Sequence, residues 1–249
     1  MKPWRWVWAG LVLTQVACQL ATPSTDVATV EVENSPSVDT FVQLSPKPVV
    51  VPPDYDTMAW TELVRLDSTF VLDLRYATDS NFVGEQMYSC GRCFLRPAAA
   101  HSLAQIQDSL RNYRSEVHPA GLGFVLFDCY RPLPVQWRLW NKVPDRRYVA
   151  DPRKGSQHNK GVAVDLTLID IATGEALAMG TAYDYFGGEA WHRATVGFDE
   201  PIRSNRTYLL ELMEGFGWKR TNSEWWHYSY PLSRAVAPID SMQWACPPR

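Results

Sequence analysis

The sequence has no run of Lys or Arg, no second Cys-x-x-Cys, no internal repeat and no apolar stretch long enough to span a membrane comfortably. Each absence removes a class of function. With 24 Lys and Arg against 27 Asp and Glu, and none of them clustered, nothing is basic enough to hold nucleic acid. Without a second Cys-x-x-Cys, Cys90-Gly91-Arg92-Cys93 cannot complete a four-thiolate zinc site. It reads as half a zinc knuckle, a redox pair or structural disulfide cysteine, and the last is favoured. Beyond Cys18 only Cys90, Cys93, Cys129 and Cys246 remain. In an exported chain these four can form one or two disulfides, with three full pairings open.

What is present begins with an export signal. Lys2 and Arg5 precede an apolar run from Trp6 to Leu13, followed by Thr14-Gln15-Val16-Ala17-Cys18. Residues 1–17 are expected to be removed, which leaves 22 basic against 27 acidic residues, a net charge of −5. Cys18 reads in two ways: an ordinary residue near the cut, or the lipidated first residue of a lipoprotein, although Gln15 stands where an aliphatic residue is usual. Residues 18–56 are expected to be a disordered linker. From residue 19 onward they hold six Pro, eight Ser or Thr and no Gly, and such a segment buries too little to offset its ordering entropy. The folded domain is expected over 57–249, with 46% hydrophobic residues and eleven Trp in the chain.

Within that domain, Phe70 to Tyr76 alternates as a strand. Pro97 opens a helix carrying Leu103, Ile106, Leu110, Tyr113 and Val117 at helical spacing. Phe124 to Phe127 and Val162 to Leu168 read as strands, with a short helix from Val135 to Lys142 between them. A second long helix carries Ile202, Leu209, Leu212, Met213 and Phe216, and Trp225 to Tyr230 forms the last strand. Regular βαβ alternation is missing, so the fold class is α+β with a mainly antiparallel central sheet flanked by helices.

The chemistry concentrates in two places. Ser156 to Asp165 offers His158 and Asp165; Glu224-Trp225-Trp226-His227 offers a second imidazole beside a carboxylate. Two imidazoles and a carboxylate leave a fourth position open, as a hydrolytic zinc site requires. Strand parity adds a geometric demand. Residues seven apart on one unbroken strand face opposite ways, so His158 belongs on a loop that bends back at Gly161, with Asp165 on the strand. Glu224 and His227, three apart, need a turn or a bulge. Asp165 lies in an apolar strand, where an unpaired carboxylate is costly. The other histidines lack such company: His101 falls in a first helical turn, His118 precedes a Pro, and His192 sits beside Trp191. The neighbourhood of Glu224 is expected to be dry, which raises a carboxyl pKa and suits a proton shuttle. Arg131 has two readings, an ion pair with Asp128 or Glu85, or stabilisation of a developing oxyanion.

Taken in order, these residues resemble the zinc D-alanyl-D-alanine dipeptidases of the vancomycin-resistance type, within the wider zinc D,D-peptidase and Hedgehog-type group. The likeness runs from about Leu63 to Tyr230. Its pieces are Asp73 to Thr78 with Asn81-Phe82, Tyr130-Arg131-Pro132, the set Ser156, His158, Gly161, Ala163 and Asp165, then Met179-Gly180 with Tyr183-Asp184, and Glu224 to His227. The resemblance implies one zinc ion held by His158, Asp165 and His227, with Glu224 as general base and acid and Arg131 stabilising the tetrahedral intermediate. It implies that Ser156, Asp184 and Tyr76 bind substrate, with Asp184 meeting the ammonium group. The expected partner is a small D,D-dipeptide, with a membrane tether through lipidated Cys18 and no protein partner. The expected location is the periplasm or cell envelope. Two other functions stay open: a D,D- or L,D-carboxypeptidase on peptidoglycan stems, and a zinc-bearing wall-binding lipoprotein without catalysis. The signal, the linker and Cys90-x-x-Cys93 depart from the family pattern.

Overall fold

A computed structural model describes residues 60–194, 197–234 and 246. The expected signal and linker lie outside the described residues. Strand β1 (Thr61–Glu62) leads into helix α1 (Leu63–Leu66) and pairs antiparallel with β3 (Phe94–Leu95). The main sheet has the order β2-β4-β5-β7-β6, from β2 (Val71–Leu72), β4 (Leu122–Asp128), β5 (Ala163–Asp170), β7 (Glu224–Ser229) and β6 (Lys219–Thr221). Only β2 and β4 run parallel; the other three pairings are antiparallel. Helices α2 (Pro97–Asn112), α3 (Leu133–Lys142) and α4 (Glu200–Gly215) complete the domain. The mixed, mainly antiparallel class expected from the sequence is what forms.

Strand β5 is the centre of the sheet because its residues can be buried on both faces. Val162, Val164, Leu166 and Leu168 are fully buried in one core with Leu103, Ile106 and Leu110 of α2 and Leu209 and Met213 of α4. The opposite face of β5 carries Asp165 and Thr167, also buried. That face is therefore the place where buried polar groups need partners.

Two expectations were too long. The strand read over Phe70 to Tyr76 keeps only Val71 and Leu72. Asp73 still donates its N–H to the Leu126 carbonyl, but the chain then turns through Arg75–Ala77. The turn buries Tyr76 and aims its carbonyl at the amides of Met87 and Tyr88, 2.8 Å each. Those tertiary bonds replace the ladder that an edge strand would lack on one side. Helix α2 ends at Asn112, so Val117, 61% exposed, is outside it. Nearby His118, set aside as a ligand candidate, is buried against Asp170 at 2.5 Å. The cysteines pair as Cys90–Cys246 and Cys93–Cys129, so the Cys-x-x-Cys residues bond elsewhere rather than to each other.

Candidate active site

His158 opens a single 3-10 turn, His158–Lys160, which Gly161 ends in the left-handed region at φ 70°. A side chain at Gly161 would be strained there, and its Cβ would come within 2.3 Å of the Trp60 ring. The chain bends back at this glycine, as strand parity required. Asp165 sits on β5 directly opposite His227 on β7, and a cross-strand pair shares one face of the sheet. Between Arg220↔Tyr228 and Thr221↔Glu224 the β6–β7 register breaks, leaving Trp225, Trp226 and His227 opposite one backbone step. This bulge lets Glu224 and His227 face one space despite being three apart.

The three candidate ligand groups converge. His227 Nδ1 lies 2.9 Å from Asp165 Oδ1, His158 Nε2 lies 3.4 Å from the same oxygen, and the two imidazole nitrogens are 3.1 Å apart. One ligand atom from each falls within 4.8 Å of the others. Among the described residues this is the one such His, Cys, Asp or Glu group. The supporting bonds fix which atoms face inward. His158 Nδ1 is 2.6 Å from the Cys129 carbonyl and must donate there, which leaves the Nε2 lone pair free. Tyr183 donates its hydroxyl to Asp165 Oδ2 at 3.0 Å, leaving Oδ1 inward. Burial works against the charged form of His158, but Asp165 and Asp128 outweigh it and raise its pKa. Burial likewise opposes ionisation of Asp165, yet the two imidazoles hold its carboxyl well below the ordinary range.

Glu224 Oε2 lies 3.8 Å from His227 Nδ1, beside the triad rather than within it. Burial pushes its carboxyl up to about 7, opposed by His227 and reinforced by the charges of Asp165 and Asp184. Asp184 goes the same way: burial, with the Asp165 charge behind it, raises its pKa to about 8. Three carboxylates, Asp165 buried and Asp184 and Glu224 partly so, thus line one cavity in which their mutual repulsion is only partly relieved. A divalent cation at the triad, and a cationic substrate group at Asp184, would supply the missing charge. The donor set of two imidazole nitrogens and one carboxylate oxygen fits zinc with a position left open.

All eight sequence-predicted residues line or border one cavity of about 340 Å3: Tyr76, Arg131, Ser156, His158, Asp165, Asp184, Glu224 and His227. That volume suits a small ligand. Asp184 takes a left-handed backbone, φ 57°, the one such non-glycine among the described residues, and accepts a hydrogen bond from the Tyr76 hydroxyl at 2.9 Å. Strain at a cavity wall marks a residue held for its position. Ser156 accepts the Asn159 N–H on its hydroxyl at 3.2 Å, so it also braces the His158 turn. Arg131 does form the ion pair with Asp128, donating Nε at 3.0 Å and Nη2 at 2.6 Å, and Nη1 donates to Gln136 at 2.9 Å. Glu85 pairs instead with Lys142 and, at 3.8 Å, with Arg138. The two readings of Arg131 are compatible, because these bonds use three of the five N–H groups of a guanidinium.

Several groups that brace the candidate site escaped sequence reasoning. Tyr183 was visible only as the neighbour of Asp184. The Cys129 carbonyl that orients His158 has no side-chain signature at all. Gln136 is one polar residue between Val135 and Trp137, and nothing local distinguishes it from a surface glutamine.

The chain matches the family model described as D-Ala-D-Ala dipeptidase over residues 60–242. A D-alanyl-D-alanine dipeptidase of Escherichia coli K12 is 36% identical over 189 residues, covering 75% of this chain and 93% of that protein. One from Enterococcus faecium is 30% identical over 195 residues, covering 67% and 91%. One from Streptomyces coelicolor is 31% identical over 182 residues, covering 63% and 84%.

Proposed function

This chain belongs to the D-Ala-D-Ala dipeptidase family, and from that premise we propose that it is a zinc metallopeptidase hydrolysing D-Ala-D-Ala to two D-alanines. The observation that carries this reading is the convergence of His158, Asp165 and His227 beside Glu224, in the cavity that Asp184 and Arg131 also line. His158 Nε2, Asp165 Oδ1 and His227 Nδ1 would hold the metal. When bound, zinc supplies Lewis acidity toward the peptide carbonyl and makes water more acidic.

The chain's own groups do the rest. Glu224, its affinity for protons raised by burial, takes a proton from the attacking water as the new C–O bond forms. It returns that proton to the amine nitrogen as the C–N bond breaks. Arg131, with N–H groups left over from Asp128 and Gln136, stabilises the carbonyl oxygen as it becomes an oxyanion. Asp184 receives the substrate ammonium, whose charge favours the ionised carboxylate that burial and the Asp165 charge disfavour. Tyr76 holds Asp184 in place, and Ser156 lines the same cavity.

The competing reading, a carboxypeptidase acting on peptidoglycan stems, puts an amide where the dipeptide has its ammonium. A hydrogen bond to a charged group is worth about 1.5–3 kcal/mol, or roughly 10- to 150-fold. We therefore expect kcat/KM on D-Ala-D-Ala to exceed that on N-acetyl-D-Ala-D-Ala by at least about tenfold. Equal rates on both would remove the dipeptidase reading and favour the carboxypeptidase.

For location, the reading is export to the periplasm or cell envelope, with a lipid tether at Cys18. Its support is the charged start, the short apolar run and Ala17-Cys18, followed by a Pro-, Ser- and Thr-rich segment. No helix among the described residues is long and apolar enough to cross a membrane. An enzyme so placed would scavenge dipeptide released in wall turnover. In cells fed labelled palmitate, the full chain should take up label and a Cys18→Ser variant should not; label on neither would rule out the tether.

A further inference from the structure

Helix α3 carries three buried residues, Val135, Gln136 and Leu139, and the middle one is polar with none of its surface exposed. A buried amide is tolerable only when both of its ends are bonded. Gln136 Oε1 accepts from Arg131 Nη1 at 2.9 Å, and Gln136 Nε2 donates to the Ala150 carbonyl at 2.8 Å. Its two partners belong to different parts of the cavity. Arg131 follows β4, whereas Ala150 lies on the segment between α3 and the His158 turn, whose Arg146, Arg147, Tyr148, Val149 and Ala150 line the cavity. Val149 of that segment is buried in a small cluster with Tyr76, Val135 and Leu139.

The bond to Arg131 also decides what the guanidinium can do. Asp128 Oδ2 takes Nε and Nη2 along one edge. Gln136 takes a hydrogen of Nη1 from the other side, so the plane is fixed and cannot rotate about its long side chain. The Arg131 guanidinium also lies over the Tyr76 ring, 5.1 Å from its centroid, and Tyr76 in turn holds Asp184. A preorganised donor costs no reorientation when charge develops, and a loosely held arginine loses that advantage.

Resting on the proposed role of Arg131, we infer that Gln136 is a positioning residue: one amide that aims Arg131 into the cavity and ties it to the wall formed by residues 146–150. The two ends predict separable defects. Gln136→Leu loses both bonds and should lower kcat about tenfold and raise KM, with bound metal unchanged. Gln136→Glu keeps an acceptor for Arg131 and loses the donor to Ala150, so KM should rise while kcat recovers to within about threefold of wild type.

A double-mutant cycle tests the coupling on the full chain, using Arg131→Lys as the second change and D-Ala-D-Ala as substrate. If Gln136 works through Arg131, Gln136→Leu should cost about tenfold in kcat alone but less than about twofold in the Arg131→Lys background. A phosphinate analogue of the dipeptide should lose affinity in parallel with kcat/KM, which a change in stability alone would not produce. Additive losses in the cycle would overturn the inference and leave the role of Arg131 standing. An Arg131→Lys enzyme with near wild-type kcat would instead overturn the role of Arg131 and the inference with it. Should Gln136→Leu fail to fold, the kcat and KM of Gln136→Glu decide: a kcat loss as large as that of Arg131→Lys would refute the assignment.

Discussion

Glu224→Ala is expected to keep its metal and to lose turnover by about 10²–10⁴-fold, the range that a positioned general acid–base contributes. The upper part of that range applies, because one carboxyl serves both proton transfers in the proposed sequence. Retention of metal follows from geometry. The three converging groups are His158, Asp165 and His227, while Glu224 Oε2 stands 3.8 Å from His227 Nδ1. Zinc content per chain and kcat, measured on the same preparation, check both halves. If metal and activity fell together, Glu224 would be a ligand and its assignment as base would be wrong. The pH profile gives a second reading. A base works deprotonated, so activity should rise with pH through its pKa, which burial, opposed by His227 and reinforced by Asp165 and Asp184, raises to about 7. A dication beside His227 moves the limb to lower pH. The residual activity of Glu224→Ala should lack that limb.

Arg131→Lys is expected to lower kcat by about 10²–10³-fold with little change in KM, as removal of an oxyanion donor typically does. The choice of lysine matters. Asp128 is fully buried and is held by Arg131, the Tyr88 hydroxyl at 2.7 Å and the Cys129 N–H at 2.9 Å. Arg131→Ala would leave that carboxylate without its cation, and breaking a buried pair costs about 3–5 kcal/mol of stability. A loss of activity in Arg131→Ala could then reflect unfolding. Lysine keeps a charge for Asp128 but offers no planar fork, so it separates the two roles. Thermal melting should place Arg131→Lys close to wild type and Arg131→Ala well below it. A lysine enzyme with kcat within threefold of wild type would reduce Arg131 to its ion pair with Asp128.

The three groups that converge as a candidate metal site were legible in the sequence because ligand chemistry is written in residue type and local spacing. His158, Gly161 and Asp165 lie within one short stretch, and strand parity alone required a bend at the glycine and a break near Glu224. The central strand was legible for a similar reason, since its alternating apolar residues need a core on one side and leave Asp165 on the other. Helix α2 was read one turn too far, because Tyr113 and Val117 continue the apolar period after the backbone has left it. Periodicity reports side-chain character and does not report where the hydrogen bonds stop.

What only the tertiary structure decided was how the cysteines pair and which residues brace the converging groups. Four cysteines allowed three full pairings, and packing selected Cys90–Cys246 and Cys93–Cys129. Tyr183 and the Cys129 carbonyl became supports of the candidate metal site only once β4, β5 and the 3-10 turn were brought together. Gln136 is the sharpest case, a residue with no pattern around it that spans Arg131 and Ala150. A metal ligand is chosen for its own chemistry, so the sequence displays it. A positioning residue is defined by the two groups it joins, and those meet only when the chain has folded.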